Sequence, residues 1–265
     1  MRCARSSHDS RRCRWPGLPA LLALALMLPC VAGPVAAREW LVAGAHFERV
    51  YERTPDGEFT GLGPAIVRRV AQAMNDTVRF ELYPWPRAQA LVAQGKVDLL
   101  VGPYKSPARL GQMAFSQLPF YRDQMVFYAR PEAGIGWDGD YGKLAGRRIV
   151  ILNGWAYGAA FAQASGSLHT SVANTVESGL LMVAHQHVDL FATNVRNTEP
   201  VLARLHLSGV VTALPQAFDQ QDGYFAFPHD AEHDAFRARF DAAFKALVEQ
   251  GELKRLGRRF GVQVP

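Results

Sequence analysis

At 265 residues with 49% hydrophobic side chains, the chain can bury one large core or two smaller ones, and it contains no solenoid-length repeat or low-complexity segment. Its formal net charge of +5 is concentrated at the start: the first 37 residues hold five of the 29 basic side chains (Arg2, Arg5, Arg11, Arg12, Arg14) and one of the 24 acids (Asp9), leaving 24 against 23. That balance implies no basic surface and hence no nucleic-acid partner. All three cysteines (Cys3, Cys13, Cys30) lie in the same stretch, so the remainder excludes disulfides and thiol chemistry.

In chain order, the arginine-rich start is followed by an apolar run over residues 18–28, and Val35-Ala36-Ala37 has the small-x-small form of an export cleavage site. The apolar run falls short of the ~20 residues that span a bilayer. Residues 1–37 therefore read as a signal peptide cleaved near Ala37, giving a soluble periplasmic product. A strand is predicted over 39–46, then a helix after Gly61 with Ile66, Val67, Val70, Ala71 and Met74 on its apolar face. A strand over 77–83 follows, and Pro84-Trp85-Pro86 opens a helix over 87–94. The next strand, 97–101, is expected to stop at Gly102-Pro103. This β-α-β-α-β series implies a parallel sheet flanked by helices.

The polar turn after that strand carries Ser106 and Arg109, three residues apart. An arginine fork matches a carboxylate bidentately, and loops at the ends of parallel strands are where open α/β sheets hold small ligands. A strand over 124–129 comes next, then a Gly- and Asp-rich passage over 131–142. A second alternating series follows: strand 148–152, helix 156–164, strand 169–173, helix 175–184, strand 188–193, helix 195–205. Strands at 210–214 and 222–227 precede a long amphipathic helix with Asp230 as its N-cap, and Gly251 separates a last short helix.

The order "VDLLVG", Ser-Pro-x-Arg, "FS-x-x-PFY-x-D" over residues 97–123 resembles the family 3 extracellular solute-binding proteins, the amino-acid receptors of bacterial ABC importers. "LAGRRIVILNG", "HVDLFATN" and "ALVEQGELKRLGRRFG" extend the resemblance over essentially the whole chain after residue 37. It implies an α/β, type II periplasmic-binding-protein-like fold: two lobes, each a mostly parallel sheet flanked by helices. Lobe 1 would comprise 38–128 and 219–265, lobe 2 would comprise 129–218, and the strands at 125–130 and 223–227 would be the two hinge crossovers.

The resemblance further implies that Arg109 and Ser106 grip a ligand carboxylate in the cleft, with Tyr104 and an aromatic of the first loop, Phe47 or Tyr51, as stacking walls; Gly102 beside them and Trp85 at the start of the following helix are further candidates, Trp85 alternatively a core anchor. Arg87, next to Trp85, is a weaker candidate. From lobe 2, the turn Gly154-Trp155-Ala156-Tyr157 is expected to lead into a helix whose free N–H groups can meet an anion. Two departures from the family pattern stand out. Trp155 and Ala156 occupy positions of small hydroxyl residues, and Asn194 stands where α-amino-acid binders place an acid for the ligand's ammonium. Standard α-amino acids are therefore expected to bind weakly, unless another acid such as Asp189 or Glu177 swings into the cleft and restores that charge.

His185-x-His187-x-Asp189 is the one metal-like spacing, but it straddles a predicted helix-to-strand turn, so no metal and no cofactor are expected. The expected function is a monomeric, non-enzymatic receptor that closes on a small carboxylate-bearing solute, an amino acid or related organic acid, and delivers it to an ABC permease in the inner membrane. The alternative is an enzyme on the same fold, similar to cyclohexadienyl dehydratase, and a sensory ligand-binding module is a third class.

Overall fold

A computed structural model describes residues 38–265. The predicted signal peptide at 1–37 lies outside the described residues. The chain forms a mixed sheet in which two parallel groups are joined by an antiparallel pair. The first group is β1 (Glu39–Gly44), β2 (Thr77–Leu82) and β3 (Leu99–Tyr104), with β1 between the other two. Helix α1 (Leu62–Met74) and helix α2 (Trp85–Ala93) connect these strands.

After the single-turn helix α3 (Pro107–Leu110) the chain enters β4 (Tyr121–Ala129). The second group is β5 (Arg148–Leu152), β6 (His169–Ala173) and β7 (Leu190–Asn194), connected by α4 (Ala159–Ala164) and α5 (Val176–Ala184). Helix α6 (Val195–Arg204) leads to β8 (Asp219–Phe227), and α7 (Ala231–Glu249) and α8 (Glu252–Phe260) close the chain. The strand order is β2-β1-β3-β8-β4-β7-β5-β6. β8 runs antiparallel to β3 and β4, and β4 antiparallel to β7, so β4 and β8 carry the sheet from one parallel group to the other.

The core follows the predicted periodicity. Ile66, Val67 and Val70 of α1 are buried, as are Phe236, Phe240 and Phe244 of α7, and Trp40 stacks on Phe236 with ring centroids 3.6 Å apart. A second apolar cluster joins Val126 and Tyr128 of β4 to Val150, Leu180, Phe191 and Val201.

Several expected boundaries move by a few residues, and two of them lie next to the site. β3 does not stop at Gly102-Pro103 but continues to Tyr104. Gly102 takes φ +94°, open to glycine at little cost, and the pairing with β8 shifts register between Gly223 and Phe225. Such an irregularity tolerates a proline without breaking the strand. The helix expected from residue 156 begins only at Ala159, because Gly158 at φ +87° cannot be helical; a Cβ there would also lie 1.4 Å from the Asp219 carboxylate. Residues 155–158 therefore form an irregular turn, and no helix N-terminus stands at Trp155-Ala156.

Candidate ligand-binding site

The C-terminal ends of β1 and β3 face the turn after β5 and the start of α6. Between them lies a narrow cavity of about 10 Å³, the room one water needs, lined by residues that include Phe47, Trp85, Tyr104, Arg109, Trp155 and Arg196. It adjoins a larger cavity of about 440 Å³ that shares Phe47, Trp85, Trp155 and Asn197 and extends to His46, Glu48, Glu177 and Arg204.

Arg109 is placed by α3. Pro107 fits the first turn of that helix and Ser106 caps it, its hydroxyl accepting from the Arg109 N–H at 3.4 Å. The guanidinium is buried, with only 6% of the residue exposed. Its Nε donates to Gln89 Oε1 at 2.8 Å, Nη1 to the Tyr104 carbonyl at 2.8 Å and Nη2 to the Gly154 carbonyl at 2.6 Å. All three acceptors are neutral, and among the described residues no carboxylate pairs with Arg109. Burial accordingly pushes its pKa down to about 10.

Behind this arginine lies a second charged group whose needs are met. Asp123 on β4 accepts from Arg196 Nε at 2.9 Å and Nη2 at 2.7 Å, from the Tyr104 hydroxyl at 2.6 Å and from Asn194 Nδ2 at 3.0 Å. Burial opposes the Arg196 charge, but the Asp123 carboxylate outweighs it and holds the guanidinium above its ordinary range. Burial, then the same carboxylate, raises the Tyr104 phenol well above its usual value. Arg196 also donates to the Glu48 carbonyl, and Asn197 Oδ1 accepts from the Glu48 N–H at 2.9 Å, so α6 is tied to the loop after β1.

The residues singled out in the sequence divide into those this space brings together and those it does not. Phe47, Trp85, Gly102, Tyr104, Arg109 and Trp155 line the narrow cavity, and Phe47 meets both Trp85 and Trp155 edge-on, at 5.0 and 6.0 Å. Gly154 borders it through its carbonyl. Ser106 serves as the cap of α3. Tyr51 is a core residue, fully buried, its hydroxyl shared between the Val42 and Glu81 carbonyls. Tyr157 turns into the core beside Phe161 and accepts from the Leu152 N–H at 2.7 Å. Arg87 is exposed and stands 5.9 Å from the Tyr83 ring.

Asn194 is fully buried at the end of β7, where its Oδ1 caps α6 through the Asn197 N–H and its Nδ2 serves Asp123 and Tyr104. Asp189 sits at the opposite end of that strand, bonded to the Arg148 N–H and guanidinium. Glu177 lines the larger cavity. The His185 and His187 rings are 6.3 Å apart, while Asp189 is engaged with Arg148. His46, Glu48 and Glu52 bring one potential metal-ligand atom each within 4.8 Å of one another, but His46 is exposed and Glu48 also pairs with Arg204.

Gln89, Tyr121, Asp123, Arg196 and Asn197 are absent from the sequence-derived set. One signal was available for Asp123: alternation along β4 places it on the same face as Tyr121 and Met125, and an acid on a buried face requires a partner.

Comparison with known proteins agrees with this architecture. No curated protein matches the chain. Among solved structures, it is similar to a histidine kinase sensor domain described as resembling periplasmic binding proteins, with TM-score 0.77, 19% identity, and 86% of this chain and 99% of that chain covered. It is also similar to an ABC uptake transporter substrate-binding protein from Streptococcus pneumoniae with bound histidine (TM-score 0.71, 15% identity, 84% and 92% covered). A mutant of the arginine-binding protein ArgBP from T. maritima gives TM-score 0.71 at 13% identity, with 84% and 94% covered. Those likenesses establish the periplasmic-binding-protein fold. The family profile described as bacterial extracellular solute-binding proteins, family 3, matches residues 43–263, and the chain belongs to that family.

Proposed function

We propose that this protein is a periplasmic receptor that closes on a small carboxylate-bearing solute and hands it to an ABC permease, residues 1–37 being removed on export. Two lobes, 38–128 with 219–265 and 129–218, would hinge on β4 and β8. The observation that carries this reading is Arg109: a buried cation at the cleft, bonded only to neutral oxygens. A buried charge without a counter-charge is costly, and a solute anion would relieve that cost while the charge-assisted bonds fix its orientation. Phe47, Trp85 and Trp155 supply the apolar walls that hold a ligand's body.

Binding without turnover is supported by the lining of the narrow cavity. It contains no carboxyl or imidazole group, and Asp123 behind it is committed to four hydrogen bonds, so an acid–base reaction would have to draw on His46, Glu48 or Glu177 in the adjoining larger cavity. Arg109, without a paired carboxylate, favours an acid at that point, and Glu48 and Glu177 of the adjoining larger cavity are the groups that could meet an α-ammonium. The similar proteins of known structure include ones described with bound histidine, arginine or glutamine, so amino acids belong in the test. A thermal-shift and calorimetric screen of amino acids, their deaminated analogues and the matching neutral amides tests the reading. Stabilisation by acids is expected, and stabilisation by amides alone would contradict the carboxylate assignment. The sensor-domain likeness favours a second reading, in which the same closure on a solute drives a signalling partner.

A further inference from the structure

The Gly154 carbonyl accepts from three side chains across the cleft: Trp85 Nε1 at 3.0 Å, Gln89 Nε2 at 3.2 Å and Arg109 Nη2 at 2.6 Å. We propose that Trp85, Gln89 and Arg109 form one oxygen-binding site, that the chain's own Gly154 carbonyl fills it in this structure, and that a solute carboxylate enters by displacing that carbonyl. Trp85 and Gln89 thereby become specificity-determining residues for the anionic group. The solute half of this inference rests on the receptor reading above.

Number and charge both mark the carbonyl as a substitute. A backbone carbonyl offers two lone pairs to three converging donors, whereas a carboxylate offers about four acceptor positions on two oxygens. The carbonyl is also neutral, and it faces a buried guanidinium with no carboxylate partner among the described residues. The Gln89 amide is oriented by the network itself: its oxygen accepts from Arg109 Nε, which leaves its NH₂ as the donor towards Gly154. The Trp85 ring is packed by Phe47, which fixes the direction of its N–H. Glycine is required at the acceptor. Gly154 takes φ +72°, and a Cβ there would stand 3.0 Å from Gln89 Nε2 and 3.3 Å from Pro86 Cγ. Because the three donors belong to α2 and α3 and the acceptor to the turn after β5, the same bonds hold the cleft shut.

Two measurements test this on the full-length protein. In the first, amide hydrogen exchange is followed without added solute. Gln89→Ala and Trp85→Phe, which keeps a ring and loses the N–H, should each raise exchange in the 152–158 segment by about fivefold, the effect of one lost neutral hydrogen bond. Unchanged exchange in both variants overturns the shared grip on Gly154.

In the second, the probes are 3-phenylpropanoate and indole-3-acetate, each beside its neutral amide. Wild type should prefer the acid, acid binding should release protection of the 152–158 segment's contact to α2, and Gln89→Ala should reduce the preference about tenfold. Gln89→Glu, which adds a carboxylate beside Arg109, should abolish it. Equal binding of acid and amide, or an acid preference untouched in Gln89→Ala and Gln89→Glu, overturns the inference and leaves the solute-receptor reading standing. Failure of both acids to bind wild type overturns the displacement step, while binding of other solutes in the wider screen would keep the receptor reading.

Discussion

The Arg196 guanidinium on α6 grips the Asp123 carboxylate on β4 through two bonds of 2.9 and 2.7 Å, with both side chains buried. The pair sits where the antiparallel strands join the second parallel group, and through Tyr104 it also reaches the end of β3. Removing one partner leaves the other charge buried and unmatched. Asp123→Asn or Arg196→Ala should therefore cost about 3–5 kcal/mol of stability, read from urea unfolding. Replacing both partners together should cost less than the sum of the single changes.

Asn194 is matched to Asp123 by chemistry. Its Nδ2 donates to the Asp123 carboxylate at 3.0 Å, so an aspartate at 194 would exchange a donor for a like charge. Asn194→Asp should destabilise the protein by about 2–4 kcal/mol at pH 7. The carboxyl introduced at 194, facing the Asp123 charge, holds its proton more tightly when folded than when unfolded, so the deficit should shrink as pH falls towards 5. Urea unfolding at pH 7 and pH 5 measures this, and a deficit that grows on acidification would show that the two groups do not face each other.

Asp189 carries the opposite pH signature. Hydrogen bonds from Arg148 hold its carboxyl below the ordinary carboxylate range. The unfolded chain then binds the proton more readily than the folded one in the window just below the ordinary value. The stability it contributes is present above that value and lost as pH falls through the depressed one. Asp189→Asn should cost roughly 1 kcal/mol at neutral pH and progressively less as pH falls below the ordinary carboxylate range, flattening the acid limb of the stability profile.

The fold was largely legible in the sequence because its elements are short, strongly patterned and punctuated by glycine and proline. The strands at residues 148–152 and 169–173 and the Asp230 cap emerge as read. The misplaced boundaries beside the site, at Gly102-Pro103 and at residues 156–158, depend on tertiary features that no local window contains: a register shift against β8 and the Asp219 carboxylate over Gly158. The lining of the candidate cavity was legible where one residue carries a charge beside an aromatic wall, as with Arg109, Trp85 and Trp155. It was not legible where a role depends on a partner far along the chain: Gln89 meets Gly154, 65 residues away, and Asp123 meets Arg196, 73 residues away. Tyr51 and Tyr157 show the converse limit, since an aromatic near a loop satisfies either a core or a cleft and only packing decides.

Trp155 meets Phe47 edge-on, and on the proposed receptor reading its ring should report occupancy. Trp155→Ala should weaken a bound aromatic or aliphatic acid by about 1–2 kcal/mol, since most of the lost area is apolar. Calorimetry comparing this variant with Trp155→Phe separates wall packing from the indole N–H: if packing dominates, phenylalanine restores most of the affinity.

The most direct test is the affinity of Arg109 variants for whichever acid stabilises wild type most strongly in the thermal-shift screen. Arg109→Ala should fold, because it removes a buried charge that has no carboxylate partner and leaves only neutral acceptors behind, yet lose about 3–5 kcal/mol of binding, with Arg109→Lys recovering only part because an ammonium cannot reproduce the fork. Calorimetry returning wild-type affinity for that acid in Arg109→Ala would contradict the claim that this arginine holds the solute's carboxylate.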